Sequence, residues 1–271
     1  MSFYAESYII LITEVEFMKT ALITGASSGI GREFARQYAA RGYRLILSAR
    51  RKDVLEELSR ELDTECIIMT ADLSDEAQCL KLLEDLREEK IDVLINNAGF
   101  GLAGDFLHND LQRELSMIKV NDIALHILLK GILQKMNEKG EGTIVNVCSS
   151  AGLIPGGPYM ATYYASKSYA VSLTRAVVQE LKEAGSSVYV CALCPGPVDT
   201  DFNHNAGVTF SLKGITPEQC VSECMKEMDK GKTIIVPSTV MKLAVFFSRF
   251  VPLSSLVKIT GHQQKKKTGK I

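Results

Sequence analysis

Seven short apolar runs, separated by stretches of helical periodicity, constrain this chain more than any other feature. The runs are "KTALITG" (19–25), "YRLILSA" (43–49), "CIIMT" (66–70), "DVLINNAG" (92–99), "GTIVNVCS" (142–149), "SVYVCALCPG" (187–196) and "TIIVP" (233–237). Between them the patterning predicts helices from about Ile30 to Arg41, over "KDVLEELSREL", and from about Asp75 to Glu89. Further helices are predicted over about 110–138, 161–184 and 217–230. Near-continuous apolar strands between amphipathic helices imply a parallel sheet covered on both faces. The expected fold class is therefore α/β, a single doubly wound domain with a parallel seven-stranded sheet. Ligands to such a sheet bind beyond the strand C-termini, at the point where strand order reverses. Gly25, Asp72, Asn97, Ser149 and Pro195 all fall just past predicted strand ends.

Bulk properties narrow the choice of chemistry. Of 271 residues, 46% are hydrophobic and 23% charged, and the net charge is -1. Nothing in that balance points to a nucleic-acid partner. The four histidines, at 108, 126, 204 and 262, lack metal-ligand spacing, so no metal site is expected. Seven cysteines without a secreted framework suit a reducing, cytoplasmic setting. Cys191 and Cys194 form a CxxC inside a strand-like run, and Cys220 and Cys224 lie four apart on a predicted helix; both pairs are read as packing.

"TGASSGIG" (24–31) joins the first strand to its helix. Its glycines make a tight turn and allow close backbone approach to a pyrophosphate at a helix N-terminus. After the second strand comes "SARRK", with Ala49, Arg50 and Arg51 and no acid. An acid there would bond a ribose 2′-OH, whereas an arginine pairs with a 2′-phosphate. NADP is therefore the expected cofactor.

With these residues in view, the chain resembles the short-chain dehydrogenase/reductase family over about residues 18–237. The resemblance rests on an ordered set: "TGASSGIG", "ADL" (71–73), "NNAG" (96–99), "VN" (120–121), "NVCSSAG" (146–152), "YYASK" and "PGPVDT" (195–200). It implies a Rossmann-like fold and carbonyl–alcohol interconversion with a nicotinamide cofactor. It further implies that Gly25, Ser27, Ser28, Gly29, Ile30 and Gly31 wrap the pyrophosphate and that Asp72 bonds the adenine. Asn97 would lie nearest the ribose, Asn121 would hold a water linked to the lysine, and Val198 and Thr200 would meet the nicotinamide amide and phosphates. For the serine, counting from Asn146 gives Ser149, while counting back from the tyrosine gives Ser150. Loops absorb insertions more readily than strand ends, which favours Ser149.

The chemistry needs a hydroxyl donor and an acid beside the substrate oxygen, where negative charge develops during reduction. Ser149 would be the donor and a tyrosine the acid, with the Lys167 ammonium favouring its phenolate and holding the ribose. Tyr163 and Tyr164 are both within one turn of Lys167. Helix phase places Ala170, Thr174, Val177 and Leu181 on the Tyr163 side and Tyr164 at the edge of a polar face with Ser168 and Arg175. The family pattern Y-x-x-x-K also selects Tyr163. The expected catalytic set is Asn121, Ser149, Tyr163 and Lys167, with Tyr163 and Lys167 touching the cofactor as well.

The remaining segments set boundaries. Residues 1–17 are read as an N-terminal extension, with a mis-assigned start as one origin, ahead of a domain spanning 18–237. Residues of about 199–216 are read as a lid over the substrate. Residues 238–271 form an apolar and then basic C-terminal tail, interrupted by Lys242, Arg249 and Lys258. The leading expectation is an NADP-dependent oxidoreductase of a small carbonyl or alcohol, assembled as a homodimer or homotetramer through the two long helices. Its rivals are a reductase of lipid-like 3-keto compounds in peripheral contact with a membrane through the tail, and a non-catalytic NADP-binding sensor or scaffold.

Overall fold

The structure is a computed structural model and describes residues 18–200 and 214–267. Its centre is one parallel sheet in the order β3-β2-β1-β4-β5-β6-β7. The strands are β1 Thr20–Thr24, β2 Arg44–Ala49, β3 Cys66–Thr70, β4 Val93–Asn96, β5 Thr143–Val147, β6 Tyr189–Leu193 and β7 Ile234–Ile235. The helices are α1 Gly29–Ala39, α2 Lys52–Glu61, α3 Glu76–Asp85, α4 Leu111–Ile118, α5 Leu125–Lys139, α6 Ala161–Glu183, α7 Pro217–Met228, α8 Thr239–Ser248 and α9 Leu253–Lys267. The expected fold class is the observed one.

The apolar runs are strands because each feeds two cores. Ala21, Ile23, Leu45, Leu47, Val93 and Ile95 face a layer completed by Phe34, Leu55 and Cys224. The intervening Leu22, Ile46, Leu94 and Ile144 face a second layer with Leu82, Leu128, Ile132 and Met136. Alternation of side chains across a strand makes an all-apolar run suitable only where both faces are covered. Each fully buried Leu or Ile contributes on the order of 1.5–3 kcal/mol, so burial holds the central strands. Strand order reverses between β1 and β4, and the crevice there opens beyond their carboxyl ends.

Two features depart from the simple alternation. The single helix predicted over 110–138 contains a π-helical stretch, Lys119–Ala124, between α4 and α5. The C-terminal segment folds into α8 and α9, and no helix among the described residues is long and apolar enough to cross a membrane. The expected extension, 1–17, and most of the expected lid lie outside the described residues. The described ends of the lid are joined by backbone: Asp199 N–H donates to Ile215 O at 2.9 Å, and Ile215 N–H to Pro197 O at 3.2 Å.

Candidate active site

The glycine turn after β1 is shaped by contacts that exclude a side chain. A Cβ on Gly31 would lie 2.4 Å from the Gly25 carbonyl oxygen, and Gly25 and Gly29 have φ of +64° and +55°. The turn delivers the N-terminus of α1, where Ser28 makes no side-chain cap and the first turn carries no acid. Its first N–H groups and the positive end of its dipole suit an anion. Thr200 leans on this turn, its Cγ2 lying 3.1 Å from the position of a Cβ on Gly29.

Arg50 follows β2, and its charge acts on Asp72 after β3. Burial alone would raise the Asp72 pKa, but hydrogen bonds from Ser74 N–H (3.0 Å) and Ser74 Oγ (2.8 Å), with Arg50, hold it below its ordinary value. Asp72 therefore presents an ionised carboxylate at neutral pH. Past β4, the Asn97 amide donates to the carbonyls of Thr24 (2.9 Å) and Gly25 (3.3 Å) and fixes the glycine turn to the neighbouring strand.

The reactive end gathers around α6. Ser149, at the end of β5, accepts from Ala151 N–H at 3.1 Å and hydrogen-bonds to the Tyr163 phenol. Lys167 Nζ donates to the Val147 carbonyl at 3.1 Å and lies 5.9 Å from the centroid of the Tyr163 ring. Burial is the main influence on both groups: it pushes the Tyr163 phenol above its ordinary value, against the Ser149 hydrogen bond, and pushes the Lys167 ammonium below its own. The ammonium sits over the ring, and the phenol stays protonated.

Asn121 is fully buried within the π-helical stretch. Its Oδ1 accepts from Phe100 N–H at 3.1 Å, and its Nδ2 donates to Phe100 O and Ser166 Oγ, both at 3.0 Å. The side chain braces the turn after β4 against α6.

A single cleft of about 900 Å³ joins these groups. Gly25, Ser27, Ser28, Gly29, Ile30, Arg50, Asp72, Asn97, Ser149, Tyr163, Lys167, Val198 and Thr200 all border it. Gly31 and Asn121 do not; the first sits behind the glycine turn and the second behind the reactive end. Tyr164 departs from its expected place at a polar edge: it is 7% exposed and borders the cleft. Helix phase registers only the sheet side of α6, whereas Tyr164 is covered from the other side, where Gln264 of α9 donates to its hydroxyl at 2.7 Å. Met241, Gln263 and Gln264 from α8 and α9 also line the cleft. No motif signals them, because they come from a segment distant in sequence. Of the CxxC, Cys191 and Cys194 belong to different core layers, and the Cys194 thiol pairs with Cys148.

The family model described as short chain dehydrogenase matches residues 19–209. The chain belongs to the short-chain dehydrogenase/reductase family. Its members are oxidoreductases of CH–OH and C=O groups. The bovine dehydrogenase/reductase SDR family member 11 is 31% identical over 232 residues, covering 80% of this chain and 89% of that protein. A short-chain dehydrogenase from Sphingobium yanoikuyae, solved in complex with NADPH, superposes with a TM-score of 0.77 at 30% identity, covering 88% of this chain and 96% of its own. A short-chain dehydrogenase/reductase from Burkholderia phymatum, solved in complex with NAD, has a TM-score of 0.77 at 26% identity over 85% of this chain and 92% of its own. The two solved short-chain dehydrogenase/reductases thus carry different nicotinamide cofactors.

Proposed function

We propose that the chain interconverts a ketone or aldehyde and an alcohol with NADP. The observation that carries this reading is one continuous cleft with Arg50 at one end and the Ser149–Tyr163–Lys167 cluster at the other. The glycine turn and the α1 N-terminus would hold the pyrophosphate, Asp72 the adenine, Arg50 the 2′-phosphate, and Val198 and Thr200 the nicotinamide end. When bound, the nicotinamide supplies or accepts a hydride. Ser149 orients the substrate oxygen by a hydrogen bond, and Tyr163 gives its phenolic proton to that oxygen as charge develops. A protonated phenol is the form that this acid role requires. Lys167 positions the ribose and steadies the phenolate left behind, and Asn121 acts through the loop it braces. Exposed Leu115, Ile123 and Tyr169 near and on the long helices support assembly of copies through that side.

Tyr163→Phe tests the assignment. NADPH oxidation by a panel of ketones and aldehydes should fall by about 10²–10⁴, while NADPH binding, read by its fluorescence, stays as in the parent. Turnover that survives the substitution would remove Tyr163 from the mechanism.

A further inference from the structure

α8 carries its apolar stripe on the outside. Val240, Leu243, Phe246, Phe247 and Phe250 recur at the i, i+3, i+4, i+7 spacing that ordinarily faces a core. They are instead 68%, 51%, 50%, 59% and 72% exposed, and Leu253 at the start of α9 is 60% exposed. The inner side of the helix is supplied by the buried Val245 and by Met241, which borders the cleft. Phe246 meets Phe247 and Phe250 edge-on, each at 5.4 Å between centroids, so the three rings make one surface.

The charge carried by the segment itself has one sign. Thr239 to Lys267 contains six Lys or Arg and no Asp or Glu. The last acid in the chain is Asp229. Lys242 reaches back to Glu223 of α7 at 3.7 Å, but Arg249 and Lys258 are exposed on the segment itself. Aromatic and aliphatic side chains on a segment that carries cations and no carboxylate of its own match an anionic lipid interface: the rings enter the acyl boundary and the cations meet headgroup phosphates. A second copy docked symmetrically through the same face would bring these cations together, which disfavours self-pairing.

We propose that the outer face of α8, with the start of α9, seats the protein on an anionic bilayer surface. The contact is peripheral. Because Met241 belongs to the same helix, the seat brings the cleft beside the lipid. On the reading of that cleft as a carbonyl site, apolar carbonyl compounds held in the bilayer are the substrates it would meet.

The test is co-sedimentation of the full chain with vesicles of phosphatidylcholine alone or mixed with phosphatidylserine. The chain should pellet with the mixed vesicles, and about tenfold less with phosphatidylcholine alone or in high salt. Phe247→Ser with Phe250→Ser should reduce pelleting by about tenfold, and so should the charge reversals Arg249→Glu and Lys258→Glu. Far-UV circular dichroism verifies that these variants are folded. Absence of pelleting, equal binding to both compositions, or parental binding by the Phe variants would overturn the proposal. So would a loss of self-association in the Phe variants without vesicle binding, which would assign the face to a second copy. Vesicle binding is read without turnover, so its failure is distinct from failure of the carbonyl assay.

Discussion

Tyr163 and Tyr164 are adjacent and both buried, but different neighbours hold them. Tyr163 meets the Ser149 hydroxyl and lies under Lys167, while the Tyr164 hydroxyl accepts from Gln264. Removing the second hydroxyl leaves the first phenol's partners in place. Tyr164→Phe should keep kcat within about threefold and lower stability by about 1 kcal/mol, read by steady-state assay and urea unfolding. A fall in kcat matching that of Tyr163→Phe would move the proposed proton transfer to Tyr164. The proximity of Tyr163 to Lys167 is legible in their four-residue spacing. The cover over Tyr164 is not, because its partner lies 100 residues away, and the periodicity of one helix carries no trace of it.

At the scale of elements, the π-helical stretch Lys119–Ala124 has the largest local effect. It buries Asn121 and leaves Asp122 half-buried, with Oδ1 lacking a hydrogen-bond partner. Burial raises the Asp122 pKa from 3.8 to about 6, against the attraction of Lys167. The native state thus holds this proton more tightly than the unfolded chain does. The associated stability is fully present below 3.8 and is lost as pH rises through about 6. In calorimetry across that window, the Tm of the parent should decline relative to Asp122→Asn, whose amide does not titrate. Parallel profiles would show that the carboxyl titrates as in the unfolded chain. The helical periodicity of 110–138 predicts the length of this region correctly. It does not reveal the π turn, because one inserted residue shifts the apolar phase without erasing it.

At the scale of the whole molecule, the sheet was the most legible feature, since strands buried on both faces can be little else. The motif residues gather because the parallel topology brings their strand ends together. The cleft then runs from Arg50 to Lys167 across several strands, and a ligand filling it ties them to one another. At equal concentrations NADPH should raise Tm more than NADH; a tenfold difference in affinity corresponds to about 1.4 kcal/mol. Arg50→Ala should bring the two shifts together, and equal shifts in the parent would argue against 2′-phosphate recognition. The cleft also has two walls of unlike tolerance to change. Among the strand ends, one added methyl at Gly25 would meet the Asn97 amide at 2.8 Å and backbone at 3.0 Å. The opposite wall, with Met241, Gln263 and Gln264, is appended after the last strand and belongs to no sheet ladder. Evolution can therefore exchange that wall as a block, letting substrate range drift while the reaction type stays anchored.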